Sequence, residues 1–275
     1  MSPLRIGLPQ WQHPHWKRFG LTTLADYARY FNCVEGNTTL YALPRPDIVL
    51  RWRDMTHDDF RFCFKFPKTI SHQSALKQCD DLVRDFLQLM SPLAPRIGHY
   101  WLQLPAAFSP QGLPDLWRFL DALPREFRYS VEVRHADFFA KGEAERALNS
   151  GLRDRAINRV ILDTRGVHQA IPSNPAIIEA QRKKPKLPVH AVITAQDPLI
   201  RFIGGDDIAA NLRWFDAWLQ RLPAWSAHAS PWLFIHTPDI GEVLPLVEAL
   251  WPRLQNVLPS LGTAPDWPQQ AQLFS

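Results

Sequence analysis

Cysteine is scarce in this sequence: Cys33, Cys63 and Cys79 are the only three among 275 residues. An odd number at these spacings makes neither a disulfide framework nor a metal-ligand pattern, and reads as reduced thiols. No apolar run approaches the ~18 residues of a membrane span, and the opening Met-Ser-Pro-Leu-Arg-Ile-Gly lacks the apolar stretch of a signal peptide. These absences predict a soluble, cytoplasmic protein. Charge of one sign is lacking too. The 31 Lys+Arg nearly balance 27 Asp+Glu, leaving a net +4, which permits an anionic partner without demanding one. No GxGxxG follows the first apolar run, and there is no P-loop or GxSxG elbow, so dinucleotide, NTPase and esterase readings lack their motifs.

What is present is a chain that is 46% hydrophobic with no composition break or close internal repeat. Its length is near the ~250 residues of a single (β/α)8 barrel. The 25 prolines cluster after apolar runs and act as punctuation between elements. Short apolar runs at Arg5–Leu8, Phe31–Asn37, Arg61–Phe66, His99–Leu104, Tyr129–Arg134, Arg159–Asp163, His190–Ala195 and Pro231–His236 have the content of buried strands. Helical stretches lie between them. In Asp206–Leu222, Ile208, Leu212, Phe215, Leu219 and Leu222 form one stripe behind Asp206 or Asp207 as N-cap, and Ser74–Met90 is similar. Eight strands alternating with helices predict an α/β fold, a single-domain TIM (β/α)8-type barrel over residues 1–258, with 259–275 as a tail across the surface. A doubly wound open sheet is the alternative.

Side-chain parity places the polar residues, because residues two apart in a strand share a face. Phe62, Phe64 and Phe66 oppose Cys63 and Lys65; Leu102 and Leu104 oppose Trp101 and Gln103. Val131 and Val133 oppose Ser130, Glu132 and Arg134; Val160 and Leu162 oppose Ile161 and Asp163; Cys33, Glu35 and Asn37 stand away from Val34. The apolar set is expected to face the helices. The polar set then faces the barrel axis towards the strands' C-terminal ends, where barrel enzymes keep their chemistry.

The stretches VEGNTTLYALP, FRFCFKFPKTISH, YWLQLPAAF, YSVEVRH and LIRFIGGDD resemble the YecE-like family, a widespread domain of unknown function. The resemblance covers nearly the whole chain and implies the TIM-barrel fold and a site at the C-terminal face, without supplying a reaction. Two places depart from the family pattern. Ile203 stands where a His commonly follows Arg-Phe, and His236-Thr237 where the eighth strand commonly ends in an Asn pair.

Glu35, Glu132 and Asp163 are the candidate acid and base groups, since neighbouring acids push each other's pKa apart. Pairing with Lys65 in a buried network is the other reading. Lys65, closing FCFKF, suits a base, a Schiff-base nucleophile or a salt-bridge partner. Arg134, Arg165 and Arg201 at strand ends suit an anion clamp, or pairing with Glu132 and Asp163. Gln103 and Asn37 are expected to orient substrate hydroxyls. Trp11 and His13 in the first loop, His72 after the Lys65 strand and His236 complete the substrate-binding set. A divalent metal on Glu35, Glu132, Asp163 and His236 is conceivable, but neither HExxH nor tight Cys/His spacing supports it, so no cofactor is expected. The basic run Arg182-Lys183-Lys184-Pro185-Lys186 reads as a solvated loop on the opposite face. The function these residues support best is an enzyme acting on a small anionic, sugar-like substrate by acid–base chemistry. A nucleic-acid binding or processing protein and a non-catalytic partner-binding barrel are the alternatives; no membrane role is expected, and oligomeric state is not readable.

Overall fold

The computed structural model describes residues 4–267. Nine strands are present among the described residues: β1 (Arg5–Gly7), β2 (Cys33–Gly36), β3 (Arg61–Lys65), β4 (Ile97–Gln103), β5 (Tyr129–Glu132), β6 (Asn158–Arg159), β7 (Ile161–Asp163), β8 (Leu199–Ile203) and β9 (Trp232–His236). Apart from β6 and β7, which only Val160 separates, they alternate with helices, and the pairs β1–β9, β3–β4, β4–β5 and β5–β6 are parallel. The fold is mixed α/β with parallel sheets. The chain divides into two units, each discontinuous in sequence. Among the described residues, one holds 4–34, 163–186 and 200–267; the other holds 35–162 and 187–199. No helix among the described residues is long and apolar enough to cross a membrane.

The unit built around residues 35–162 carries the strand order β2-β3-β4-β5-β6. Its apolar face is as parity predicts. Phe62 stacks on Phe64 at 5.2 Å, and Phe64 on Trp52 of the helix Pro46–Asp54 at 5.5 Å. Phe66 meets Phe86 of the helix Asp80–Met90 at 5.5 Å. That helix is shorter than the predicted Ser74–Met90, because Ala75, Leu76 and Gln78 take positive φ (48°, 66° and 48°). The predicted strand Arg159–Asp163 is two pieces split at Val160, whose N–H donates to Val131 O at 2.9 Å.

The predicted strand His190–Ala195 is a correction: it is irregular, and the strand of that region is Leu199–Ile203. Side chains rather than a ladder fix residues 190–195. His190 Nδ1 lies 2.6 Å from Glu145 Oε1, and the Thr194 hydroxyl donates to Ile157 O at 2.6 Å while accepting Arg159 N–H at 2.7 Å. Arg159, only 2% exposed, adds hydrogen bonds to Glu145 (3.0 Å), Asn149 (2.7 Å) and Phe138 O (2.6 Å). Because the Thr194 side chain satisfies Ile157 O and Arg159 N–H, those backbone groups are not left for a strand at 190–195 to pair with.

In the other unit β1, β9 and β8 lie in that order, with Asp163 ending the neighbouring β7. The helix Ile208–Ser226 starts where its sequence signals: Asp207 caps it, accepting Ala209 N–H at 2.8 Å and Ala210 N–H at 3.3 Å. Asn174 caps Pro175–Lys183, which ends inside the basic run. Asn32 stands in for a strand beside β1, accepting Ile6 N–H at 2.9 Å and donating to Leu4 O at 3.1 Å. Of the predicted tail, Trp267 packs on Tyr30 with ring centroids 4.7 Å apart, and residues 268–275 lie outside the described residues. All three cysteines are buried, and no disulfide joins them.

Tyr27 joins two backbone ends. Its buried hydroxyl accepts Leu8 N–H at 2.8 Å and donates to Cys33 O at 2.9 Å. Tyr27→Phe leaves both groups buried without that partner, and is expected to lower stability by about 1–3 kcal/mol. The check is a shifted urea midpoint at unchanged m-value.

Candidate functional site

The unit of residues 35–162 gathers five of the predicted residues at the C-terminal ends of consecutive strands. Glu35, Lys65, Gln103 and Glu132 stand on β2, β3, β4 and β5, the last three as terminal residues, and Arg134 follows two residues on. Parity and register bring them together: Lys65 pairs in the ladder with Trp101, and Gln103 with Glu132. The Lys65 ammonium lies 2.9 Å from Glu35 Oε1, donates to Gln103 Oε1 at 2.8 Å and sits 4.6 Å over the Trp101 ring. Lys65 and Glu35 are 1% and 0% exposed. Thr39 fixes the strand ends from outside, its hydroxyl donating to Lys65 O at 2.6 Å. Lys65 is therefore ion-paired, hydrogen-bonded and faced by an aromatic ring, and not a solitary desolvated amine.

Glu132 has no exposed surface and receives Arg134. Nε lies 2.7 Å and Nη2 2.6 Å from the same oxygen, Oε1. Arg134 Nη1 has no hydrogen-bond partner among the described residues, and the side chain keeps 16% of its surface. Asn37, just past β2, has its N–H on Glu35 O at 3.0 Å. His72 sits in a π-helical turn, Thr69–Gln73, with Nδ1 2.8 Å from Ser71 Oγ. Burial first, then the charges of Lys68 and Arg134, hold His72 below its ordinary value of 6.5. Tyr41, 71% exposed, has Lys68 Nζ 4.4 Å over its ring.

The other predicted residues belong to the other unit. Asp163 is wholly buried and accepts four hydrogen bonds: Arg165 N (3.1 Å), Nε (3.0 Å) and Nη2 (2.8 Å), and Trp218 Nε1 (2.8 Å). With that many donors it orients Arg165, whose guanidinium also reaches Trp214 O at 3.1 Å. Arg201 Nε donates to His236 Nε2 at 3.2 Å, both side chains being buried. An arginine only donates, so His236 Nε2 is the unprotonated nitrogen. Trp11 is 8% exposed. His13 caps the turn Pro14–Phe19, accepting His15 N–H at 3.3 Å, and Trp16 beside it is buried with Nε1 on Ile240 O at 3.1 Å. His13 is held below its ordinary pKa by burial and His15, against the upward pull of Asp239 and Glu242. No group of three or more His, Cys, Asp or Glu suited to a metal occurs among the described residues.

Parity places Trp101 and Ser130 on the polar faces of their strands without giving them a role, and His99 and Ser71 are not singled out by the sequence. Trp101 is the ring facing Lys65, Ser71 the partner of His72, and the pair His99–Ser130, 3.0 Å apart, lies one step down the same strand face. The period-two pattern that exposed Gln103 also contains His99 and Trp101, so the signal was present; Ser71 is in a loop and had none.

Comparisons with known proteins agree with this architecture. Residues 5–271 match the model of the family described as "Protein of unknown function DUF72". The chain is 64% identical over 269 residues to UPF0759 protein YecE of Escherichia coli K12, covering 98% of this chain and 99% of that protein. Among solved structures, a DUF72 family protein from Enterococcus faecalis V583 superimposes with a TM-score of 0.68 at 18% identity, covering 93% of this chain and 95% of that one. One from Thermotoga maritima MSB8 gives 0.63 at 19% identity, covering 92% and 96%. At these identities the two structures speak for the fold.

His99, with no exposed surface, is depressed from 6.5 to about 3 by burial first and by the charge of Arg128. Between those values the unfolded chain binds a proton that the folded chain refuses. Stability present above pH 6.5 is therefore lost as pH falls towards 3, by at most about 1.4 kcal/mol per pH unit. His99→Gln is expected to flatten that limb relative to the unsubstituted protein. Identical pH slopes in urea unfolding would contradict the assignment.

Proposed function

The chain belongs to the DUF72 family, whose description names no reaction, and on that footing we propose that it is an enzyme acting on a small anionic substrate by acid–base chemistry at the C-terminal ends of β2–β5. The observation that carries the reading is the Lys65 ammonium, buried between Glu35 and Gln103 and over Trp101. A buried ion pair is a poor device for stability, because desolvation offsets most of the attraction and apolar residues of the same volume do as well or better. Placed at strand ends beside a second carboxylate and a partly exposed arginine, it has the composition of a site that handles protons and negative charge.

Arg134 is the anion's point of contact in this reading, since Nε and Nη2 are on Glu132 while Nη1 is left for a ligand oxygen. Glu132 and Glu35 handle protons, Lys65 opposes negative charge developing on the substrate, and Gln103 and Asn37 orient its hydroxyls. A phosphorylated or acidic sugar derivative fits these donors. In the other unit Asp163 holds Arg165, and Arg201 and His236 form a second buried polar pair. The (β/α)8 barrel, formed by one domain and located in the cytoplasm, belongs to this proposal.

The test is thermal melting with phosphorylated, carboxylated and neutral sugars and with nucleotides. A ligand at 100 times its Kd adds about 2.7 kcal/mol, an upward shift of several degrees for a chain of this size. The expected outcome is a shift with at least one anionic sugar derivative and none with its neutral counterpart. Arg134→Gln should remove that shift, measured against its own ligand-free melting. Equal shifts with charged and neutral forms, or a shift that survives Arg134→Gln, would count against the proposal.

A further inference from the structure

The loop that leaves β3 is the most strained segment of its unit. It makes a π-helical turn over Thr69–Gln73, with Ser74 N–H on Thr69 O at 2.9 Å, and then places three non-glycine residues of the next five at positive φ. Each such residue costs about 1–3 kcal/mol and persists only where its surroundings enforce it. Here they do: Ile70 and Leu76 are buried, and Leu76 N–H reaches Ile70 O at 3.1 Å. Such turns gather at functional sites. What the turn presents is Ser71, 1% exposed, next to the half-buried ring of His72.

The hydrogen bonds around this pair fix the ring's state. Ser71 Oγ donates to Pro67 O at 3.3 Å and lies 2.8 Å from His72 Nδ1. A hydroxyl that donates to the carbonyl has its lone pairs left to accept, so Nδ1 carries the hydrogen and donates. The opposite orientation forgoes the bond to Pro67 and makes one hydrogen bond in place of two. Nε2 is therefore the lone-pair nitrogen, and it has no hydrogen-bond partner among the described residues. Two cations lie within electrostatic reach, Lys68 on the same loop and Arg134 after β5, the latter paired with Glu132. Glu35 and Glu132 have no exposed surface, whereas part of the His72 ring is accessible.

From this geometry we propose that His72, in place of the fully buried Glu35 and Glu132, is the group that takes the substrate's proton, through Nε2, with the Ser71 hydroxyl and Pro67 carbonyl holding the ring behind it. The inference rests on the reading of the Arg134 site as the substrate's. In the step, an O–H or C–H bond of the substrate breaks and its proton forms the Nε2–H bond. The electron pair stays on the substrate, where Arg134 and Lys68 oppose the new charge, and the proton returns to the product or passes to water. Burial first, and then the two cations, favour the unprotonated imidazole, the state a base requires.

Nitrogen-15 NMR of the histidine rings tests this on the full chain, with the His72 signals assigned by their loss in His72→Gln. The expected result is the Nδ1–H form, a titration midpoint below 6.5, growth of the Nε2–H form in Ser71→Ala, and a higher midpoint when inorganic phosphate is added. A dominant Nε2–H form, or a midpoint at or above 6.5, overturns the assignment whether or not phosphate binds. The expected ring state with no response to phosphate, in either midpoint or melting, overturns the anion reading, and the role of His72 falls with it. A phosphate response that persists in Arg134→Gln does the same, because the anion is then held elsewhere.

Discussion

The desolvated ammonium of Lys65 is the constraint that the surrounding strands satisfy. A cation with 1% of its side chain exposed requires a counter-charge, a neutral acceptor and a polarisable face within about 3 to 5 Å. Glu35, Gln103 and Trp101 supply them, and each comes from the strand face that parity assigns to it. The register follows: β3 must pair with β4 so that Lys65 lies beside Trp101, and β4 with β5 so that Gln103 lies beside Glu132. A slip of one residue would turn Lys65 into the phenylalanine cluster and put Phe64 among the carboxylates. The aromatic stacking of Phe62, Phe64 and Trp52 on the reverse face opposes that slip, so core and site specify the same alignment.

The two carboxylates of this unit are held in different ways. Glu35 sits against a lysine that is itself shared, while Glu132 gives one oxygen to two arms of Arg134. One is paired with a wholly buried cation and the other with a cation that reaches the surface. In the proposed site that asymmetry would separate their roles, because the second pair reaches the surface, where a ligand could meet it. The Asp163 group of the other unit shows the contrast. Four donors close on its two oxygens, so it serves as an anchor for Arg165.

Much of this was legible in the amino-acid sequence, because alternation in β2–β5 is strict and strand ends are short. Glu35, Lys65, Gln103, Glu132 and Arg134 emerged from parity alone. Asp206 and Asp207 are both legible as caps of the helix Ile208–Ser226, since an Asp before an apolar stripe has few other uses, and the structure uses Asp207. The strand expected at His190–Ala195 failed for a reason that period and composition do not contain. Its polar atoms are claimed by Glu145, Arg159 and Ile157, all distant in sequence. The start of the helix Asp80–Met90 failed similarly, because the positive φ of Ala75, Leu76 and Gln78 belongs to residues with no local preference for it. Ser71 became visible only when the same turn set it beside His72. Long-range pairing and enforced backbone strain are what a single sequence conceals.

The claim on which the rest depends is that the Lys65–Glu35 pair is kept for chemistry and not for stability. Equilibrium unfolding and ligand-induced melting of Lys65→Met/Glu35→Leu test it most directly. Replacing a buried ion pair by apolar groups of similar volume is neutral or stabilising by about 1–4 kcal/mol in comparable cases. The double variant is expected to be at least as stable as the unsubstituted protein and to lose the melting response to an anionic ligand. A double variant several kcal/mol less stable that still responds to the anion would contradict it, and would make the buried cation a structural element of the strand ends.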